Sequence, residues 1–452
     1  MSSQVGGIPE LIDLIISDVV TLRRWNWKKE LGSCSLVSPT WLLCARRYLL
    51  STVQLGGKNV ALSDDIVAFL AFITSHVCDY VQGISFRMHD KAQYDLNSQI
   101  LSPLLASLPR LQSLSFFGIP FNGDTVGVSP PLPSYHIHTL KVHWHFSASR
   151  AYTDYALLDI LGLFSSVDQL ELSSTWSSSD SLKPYNSPVA ILPHSLTTPI
   201  LHITKLVLKT GSDYYMPLFR PLAQARDVRL HSLDVTDWQD FKEASWKYLA
   251  FLTDDNATLQ SLALDFRDPI LLTRLPEKLN HLNKILLALQ SLRSFSLHVA
   301  LPMERRTSVW FELSSTLSAL SISIQHIKLQ ITPIPSNQRH RLSEFNPPWY
   351  LDSPTWRRFR VAFDRLTDLE TVTFVSEGRY RSINAEEELQ KITMELPALE
   401  TRGLLRYENI KWERLDRLPA DNSPDYDRYN YDEYVREKFG DCPQFQRGGY
   451  YS

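Results

Sequence analysis

The sequence predicts an α/β repeat fold: a curved solenoid with parallel strands on its concave side and helices on its convex side, entered through a short module of three helices. Three observations predict it. Apolar residues recur as L-x-x-L-x-x-L-x-L, and each run follows a helical pattern. Between Phe86 and Leu329 the strand ends recur at about 30 residues, a spacing that marks stacked repeats. An apolar content of 44%, with 11% aromatics over 452 residues, fills a large core and excludes global disorder. The chain then divides into a helical head (1–57), an array (58–410) and a Tyr- and Asp-rich tail (411–452) expected to be loosely docked or disordered.

In the head, Pro9 suits the first position of a helix and Glu10 favours its positive end. Leu11, Ile12, Leu14, Ile15, Ile16 and Val19 are read as one apolar stripe, with Asp13, Ser17 and Asp18 on the wet side. Trp25 to Glu30 is read as a lengthened link. Ser38-Pro39 is a second start signal, a capping hydroxyl followed by a residue preset for the first turn. Trp41, Leu42, Cys44, Ala45, Tyr48 and Leu49 form the apolar face behind it, punctuated by Arg46 and Arg47. A module this small cannot bury a full core unaided, so it needs a partner or a larger body.

In the array, the helical pattern Asp64 to Val77 precedes a strand through Val81, Ile84 and Phe86. Asn97 to Ser107 precedes Leu108, Leu111, Leu114 and Phe116, and a weaker copy ends at Ile137, Leu140 and Val142. Helix Asp154 to Leu163 leads to Phe164, Val167, Leu170 and Leu172. Further strands close at Leu208, Val235 and Leu264, the last after a helix from Phe241 to Leu252. Pro276 to Ala288, Val309 to Leu317 and Pro354 to Phe363 are the helices before strands at Leu297, Leu329 and Phe374. A terminal copy runs from Ala385 to Met394 into Leu404-Leu405. The alternation in L-x-L puts two apolar side chains on one strand face, and one unit cannot cover that face, so neighbours must stack. Gly118 to Ser134, Ser173 to Pro199 and Thr332 to Pro354 are read as loops from their Pro, Gly and Ser content.

Two resemblances follow. The order IPELIDLII, then L-x-x-CSLVS-x-x-W (Leu31, Cys34 to Ser38, Trp41), then Arg46-Arg47 and an apolar close at Leu49 to Leu55, resembles the F-box motif in the form common in fungi. The array resembles leucine-rich repeats of a degenerate kind: where regular members carry Asn or Cys after the L-x-L, this chain has residues such as Gly118, Thr175 and Arg267. Together they imply a substrate receptor, an F-box subunit of a Skp-cullin-F-box ubiquitin ligase. Its head would dock on a Skp-type adaptor of the cullin-RING core while its body holds a protein target. The resemblance assigns the adaptor surface to Ile8, Pro9, Leu11, Leu14, Ile15, Leu36, Val37 and Trp41, with Trp41 as an aromatic anchor. The alternative is a leucine-rich-repeat interaction scaffold whose F-box-like helices only cap the solenoid.

The residues between and after the L-x-L leucines should line the concave face as target contacts: Lys141, His143, Glu171, Lys209, Asp234, Asp265, His298, Lys328 and Thr373. Their mixed sign suits a protein target, and a net charge of -3 gives no footprint for nucleic acid. No Walker, dinucleotide, nucleophile-elbow or zincin motif occurs, so neither an enzyme nor a cofactor is expected. His136, His138, His143 and His145 alternate on one strand, but no Cys and few acids lie nearby, so they are read as exposed histidines and no metal is expected. Glu386-Glu387-Glu388 is read as a stabilised helix start. Four scattered cysteines suit a reducing compartment. With no signal peptide or bilayer-length apolar run, the expectation is a cytoplasmic or nuclear protein that contacts no membrane.

Overall fold

A computed structural model of the chain describes residues 9–21, 27–56, 62–73, 77–87, 96–119, 135–146, 160–176, 202–209, 230–236, 258–266, 275–302, 306–334, 351–378 and 385–411. The chain forms two compact units, one holding most of the elements up to Ser173 and the other most of those from Lys205 onward.

The first unit opens with α1 (Pro9–Thr21), α2 (Trp27–Ser35) and α3 (Pro39–Leu49). Then come β1 (Thr52–Leu55), α4 (Leu62–Phe72), a 3-10 turn (Cys78–Tyr80), β2 (Gly83–Arg87) and α5 (Ser98–Ala106). It closes with β3 (Ser113–Phe117), β4 (Tyr135–Phe146) and β5 (Phe164–Trp176). The second unit holds β6 (His202–Lys209), β7 (Ser232–Thr236), β8 (Ser261–Phe266), α6 (Leu275–Ala288), β9 (Ser294–Pro302) and α7 (Arg306–Ala319). It continues through β10 (His326–Ile334), α8 (Ser353–Asp364), β11 (Thr371–Gly378), α9 (Ala385–Glu395), α10 (Pro397–Thr401) and β12 (Leu405–Lys411).

The class is therefore α/β, with twelve strands among the described residues. Pairing is parallel and in chain order from β1 to β4 in the first unit and from β6 to β12 in the second. Register turns the repeated leucines into columns. Ile84, Leu114 and Leu140 align, as do Phe86, Phe116 and Val142, and all six are buried. The rings of Phe86 and Phe116 stack at 5.2 Å between centroids and 7° between planes. In the second unit Leu206, Leu233, Leu262, Phe295, Ile327, Val372 and Leu405 make one buried column, and Leu208, Val235, Leu264, Leu297, Leu329 and Phe374 the next. Helices cover this side: Phe363 of α8 meets Phe374 edge-on at 6.4 Å, and Phe359 bridges Trp310 of α7 at 6.2 Å and Trp356 at 5.9 Å.

Six strands, β2, β3 and β8 to β11, enter the sheet in the same way. The two amides at the start of each donate to a single carbonyl of the preceding repeat: Gln82 and Gly83 to Ser51, Gln112 and Ser113 to Gln82, Gln260 and Ser261 to His231. Arg293 and Ser294 do so to Gln260, Gln325 and His326 to Arg293, and Glu370 and Thr371 to Gln325. With no Asn ladder, other side chains reach back to the carbonyls between helix and strand. Ser323 Oγ donates to Gln290 O at 2.8 Å, Arg365 to Leu320 O, and Arg402 to Leu369 O at 3.3 Å. These bonds satisfy backbone that the turn would otherwise leave without partners.

Several boundaries differ from the sequence reading. β1 lies inside the span expected for the head, yet it is the first strand of the sheet, paired with β2 from Thr52↔Gly83 to Leu55↔Phe86. Trp27 to Glu30 open α2 rather than extend a link, because Lys28, Lys29, Glu30 and Leu31 are good helix formers. α4 stops at Phe72 rather than Val77. β5 runs to Trp176 and β10 to Ile334, into the expected loops, and α8 already begins at Ser353 with Asp352 as its cap. Pro333 is tolerated because β11 pairs with β10 only as far as Ile331; beyond it Pro333 has a neighbour on the β9 side alone. The helix expected at Phe241 to Leu252, most of Asp154 to Leu163 and of Gly118 to Ser134, and the tail beyond Lys411 lie outside the described residues.

Candidate docking surface

Successive residues of a helix are about 100° apart, so the six apolar residues of α1 cannot share one stripe. The structure splits them. Ile12 and Ile16 are buried with Leu31 of α2 and Ala45 of α3, and Val19, Val20, Trp41, Cys44, Tyr48 and Leu49 pack against that cluster. Leu11, Leu14 and Ile15 point outward, Leu14 being 63% exposed. This corrects the single-stripe reading: α1 is apolar on both its core side and its solvent side.

The three helices are pinned to one another. Asp13 of α1 is ion-paired with Arg47 of α3, and Cys44 Sγ donates to Pro9 O at 3.7 Å. The α2–α3 turn closes through Leu36 N to Ser33 O at 3.2 Å and Val37 N to Cys34 O at 3.1 Å. That turn holds Leu36 (87% exposed) and Val37 (66%) outward, next to Ser38, whose Oγ caps α3 by accepting from Trp41 N at 3.4 Å. Pro39 is the first residue of α3, as expected from Ser38-Pro39.

Of the sequence-assigned adaptor residues, Pro9, Leu11, Leu14, Ile15, Leu36 and Val37 are exposed, and Ile8 lies outside the described residues. Trp41 is half-buried and packs on the module's own core, so it offers an edge rather than a free anchor. Leu43 on α3 is exposed and was missed; the adjacent pair Leu42-Leu43 was the available signal, since neighbours on a helix cannot both face inward. The module is also tied to the sheet. Lys28 Nζ donates to Thr52 O of β1 at 2.9 Å, and burial holds its pKa below the ordinary lysine value. Ser51, two residues past α3, supplies the carbonyl that receives Gln82 and Gly83.

In each unit the strand face opposite the leucine columns carries the predicted target residues, and most are engaged with neighbouring strands. In the first unit Lys141 pairs with Glu171 at 3.3 Å, His143 Nδ1 meets Ser173 Oγ at 2.6 Å, and Phe117 lies 5.9 Å from the His143 ring. His136 contacts Ser166 at 2.6 Å and His138 contacts Asp168 at 2.8 Å; the side chain of His145 is outside the described residues. Among the described residues no group of three or more His, Cys, Asp and Glu is placed to hold a metal.

In the second unit Lys205 pairs with Asp234 at 3.5 Å, and burial raises the Asp234 pKa against the pull of Lys205. Asp265, His298 and Thr332 form a chain across β8, β9 and β10: His298 Nδ1 lies 3.4 Å from Asp265 and Nε2 lies 2.8 Å from Thr332 Oγ1. Asp265 and His298, read from the sequence as target contacts, are buried. Lys328 reaches past Thr373 to Glu408 at 2.8 Å, and Lys209 is half-buried on β6. Sequence alone missed Lys205 and Glu408, because only the pairing of strands brings them, diagonally, within reach of their partners. It also misplaced Glu388. That residue is 2% exposed, and its Oε2 accepts from Ser376 Oγ at 2.7 Å and from Tyr407 Oη. Burial raises its pKa first, opposed by those two hydrogen bonds, whereas Glu386 and Glu387 stay exposed at the helix start.

The class defined by fold and surface is an α/β repeat protein fused to a three-helix head with an uncovered apolar side. No protein-family model matches the chain, and no curated protein matches its sequence. No helix among the described residues is long and apolar enough to cross a membrane.

Proposed function

We propose that this protein is the substrate-recognition subunit of a Skp-cullin-F-box ubiquitin ligase. The observation that carries the reading is the second apolar face of α1, Leu11, Leu14 and Ile15, together with Leu36 and Val37 in the α2–α3 turn. Exposed apolar side chains on a small module are what a protein partner removes from water. The partner in this reading is a Skp-type adaptor, and the F-box resemblance of IPELIDLII and CSLVS-x-x-W supports that choice.

The strands supply the other half. In each unit their open face carries charges already paired across strands, a nearly neutral polar surface that suits a protein target better than a polyanion. The chain contributes proximity rather than bond chemistry: a target held beside the ubiquitin-loaded enzyme presents its lysines at high effective concentration.

A second reading is favoured by Lys28 on Thr52 O and by the direct run of α3 into β1: the head caps the first strand of a scaffold and docks on nothing. Titrating the full-length chain with purified Skp-type adaptor separates the two. Binding that is lost in a Leu14→Ala, Leu36→Ala double variant supports the receptor; no binding by the intact chain supports the scaffold.

A further inference from the structure

Resting on the receptor reading, we propose that Ser38 is a phosphorylation site for a proline-directed serine/threonine kinase, and that its phosphate switches adaptor docking off. Such kinases accept a serine in extended backbone followed directly by proline, so an eligible site must lie outside a helix or strand. Among the described residues four Ser/Thr-Pro pairs occur. Ser102-Pro103 is inside α5, Thr332-Pro333 inside β10, and Ser353-Pro354 inside the first turn of α8. Of the four, Ser38 alone lies outside a helix or strand, extended at φ -164° and ψ 166°, ahead of an exposed Pro39.

Its surroundings give the modification a consequence. Ser38 directly follows Leu36 and Val37, among the most exposed apolar side chains of the head. Its Oγ makes one long bond, 3.4 Å from Trp41 N, which a kinase can displace at small cost. In the transfer, Ser38 Oγ attacks the γ-phosphorus of a nucleoside triphosphate. The new O–P bond replaces the bond to the leaving nucleoside diphosphate, and the hydroxyl proton passes to the kinase's base or to solvent.

The product carries about -1.5 to -2 charges at neutral pH. At the start of the 11-residue α3 the phosphate accepts from Trp41 N, the amide that Ser38 now caps, so the fold tolerates it. Against an apolar partner the result is the reverse. Docking Leu36 and Val37 on an apolar surface would strip water from the adjacent dianion, which is costly.

The test uses the full-length chain, a purified proline-directed kinase with ATP, mapping of the product by mass spectrometry, and titration with purified Skp-type adaptor before and after. Expected are phosphate on Ser38 and an adaptor affinity lowered about 100-fold or more, as for burying an unpaired charge. Ser38→Asn keeps a capping side chain but cannot be phosphorylated, so it should bind adaptor as the unmodified chain does and ignore the kinase. Failure of the kinase to modify Ser38 in the folded chain overturns the proposal, and so does an unchanged affinity after modification. The unmodified arm reads the receptor function separately: a chain that binds no adaptor before treatment removes that function, and the switch with it.

Discussion

Leu14 and Ile16 stand two residues apart on α1 and should respond to truncation in opposite ways. Ile16 is 0% exposed in the core of the head, so Ile16→Ala removes buried methyl groups and leaves a cavity, at a cost of about 2–5 kcal/mol. Leu14 is 63% exposed, and truncating it in the free chain should change stability by less than about 0.5 kcal/mol. Its effect belongs to binding. Burying a whole leucine is worth about 1.5–3 kcal/mol, and Leu14 with Leu36 still have most of their surface to lose. Discounting for what is already covered and for the retained Cβ, the pair contributes about 3 kcal/mol, on the order of 100-fold in Kd. Calorimetric titration with the adaptor and thermal unfolding of the same samples check both halves: the Leu14→Ala, Leu36→Ala variant should unfold as wild type and bind about 100-fold more weakly, while Ile16→Ala unfolds earlier. If the double variant unfolds as early as Ile16→Ala, the outer face is covered by the chain itself and the reasoning fails. Undiminished binding by that variant would place the adaptor elsewhere.

Other outcomes can be measured on the fold alone. Because burial raises the Glu388 pKa above its unfolded value, its contribution to stability is full below the ordinary carboxyl value and is lost as pH rises through the raised folded value. Glu388→Gln should remove that part of the pH slope, so that chemical denaturation at about pH 8 finds the variant no less stable than wild type; a variant clearly weaker there would contradict the assignment. Phe86→Ala removes one member of the Phe86–Phe116 stack and should cost about 3–5 kcal/mol, read as an earlier denaturant midpoint. Asp352→Ala deletes the cap that holds Thr355 N at 2.9 Å and should cost about 1 kcal/mol, visible as faster amide exchange in the first turn of α8. The Lys328–Glu408 pair is half-exposed, so a double-mutant cycle should return under about 1 kcal/mol of coupling.

The alternation of helix and strand, the parallel α/β class and most strand positions were legible in the amino-acid pattern. Those follow from local periodicity: Ile84 and Phe86, or Ile327 and Leu329, must face one side of any strand they sit in. The pattern tolerates exchange among apolar residues, so the β-branched Ile327 fills one buried column between Phe295 and Val372. The Ser38-Pro39 helix start was legible too, because capping is a property of a few adjacent residues.

Which of several equally apolar or equally charged residues is covered depends on how distant segments pack. Ile12 and Leu11 are neighbours of the same chemistry, yet one is core and the other is surface, because α2 and α3 approach α1 from one side only. Lys205 and Asp234, or Lys328 and Glu408, meet because parallel register aligns strands that lie far apart in the chain. Glu388 reads as one of three acids at a helix start, and only the packing of α9 over Ser376 and Tyr407 buries it. Burial and pairing depend on contacts between distant segments, and a local pattern carries no record of which segments those are.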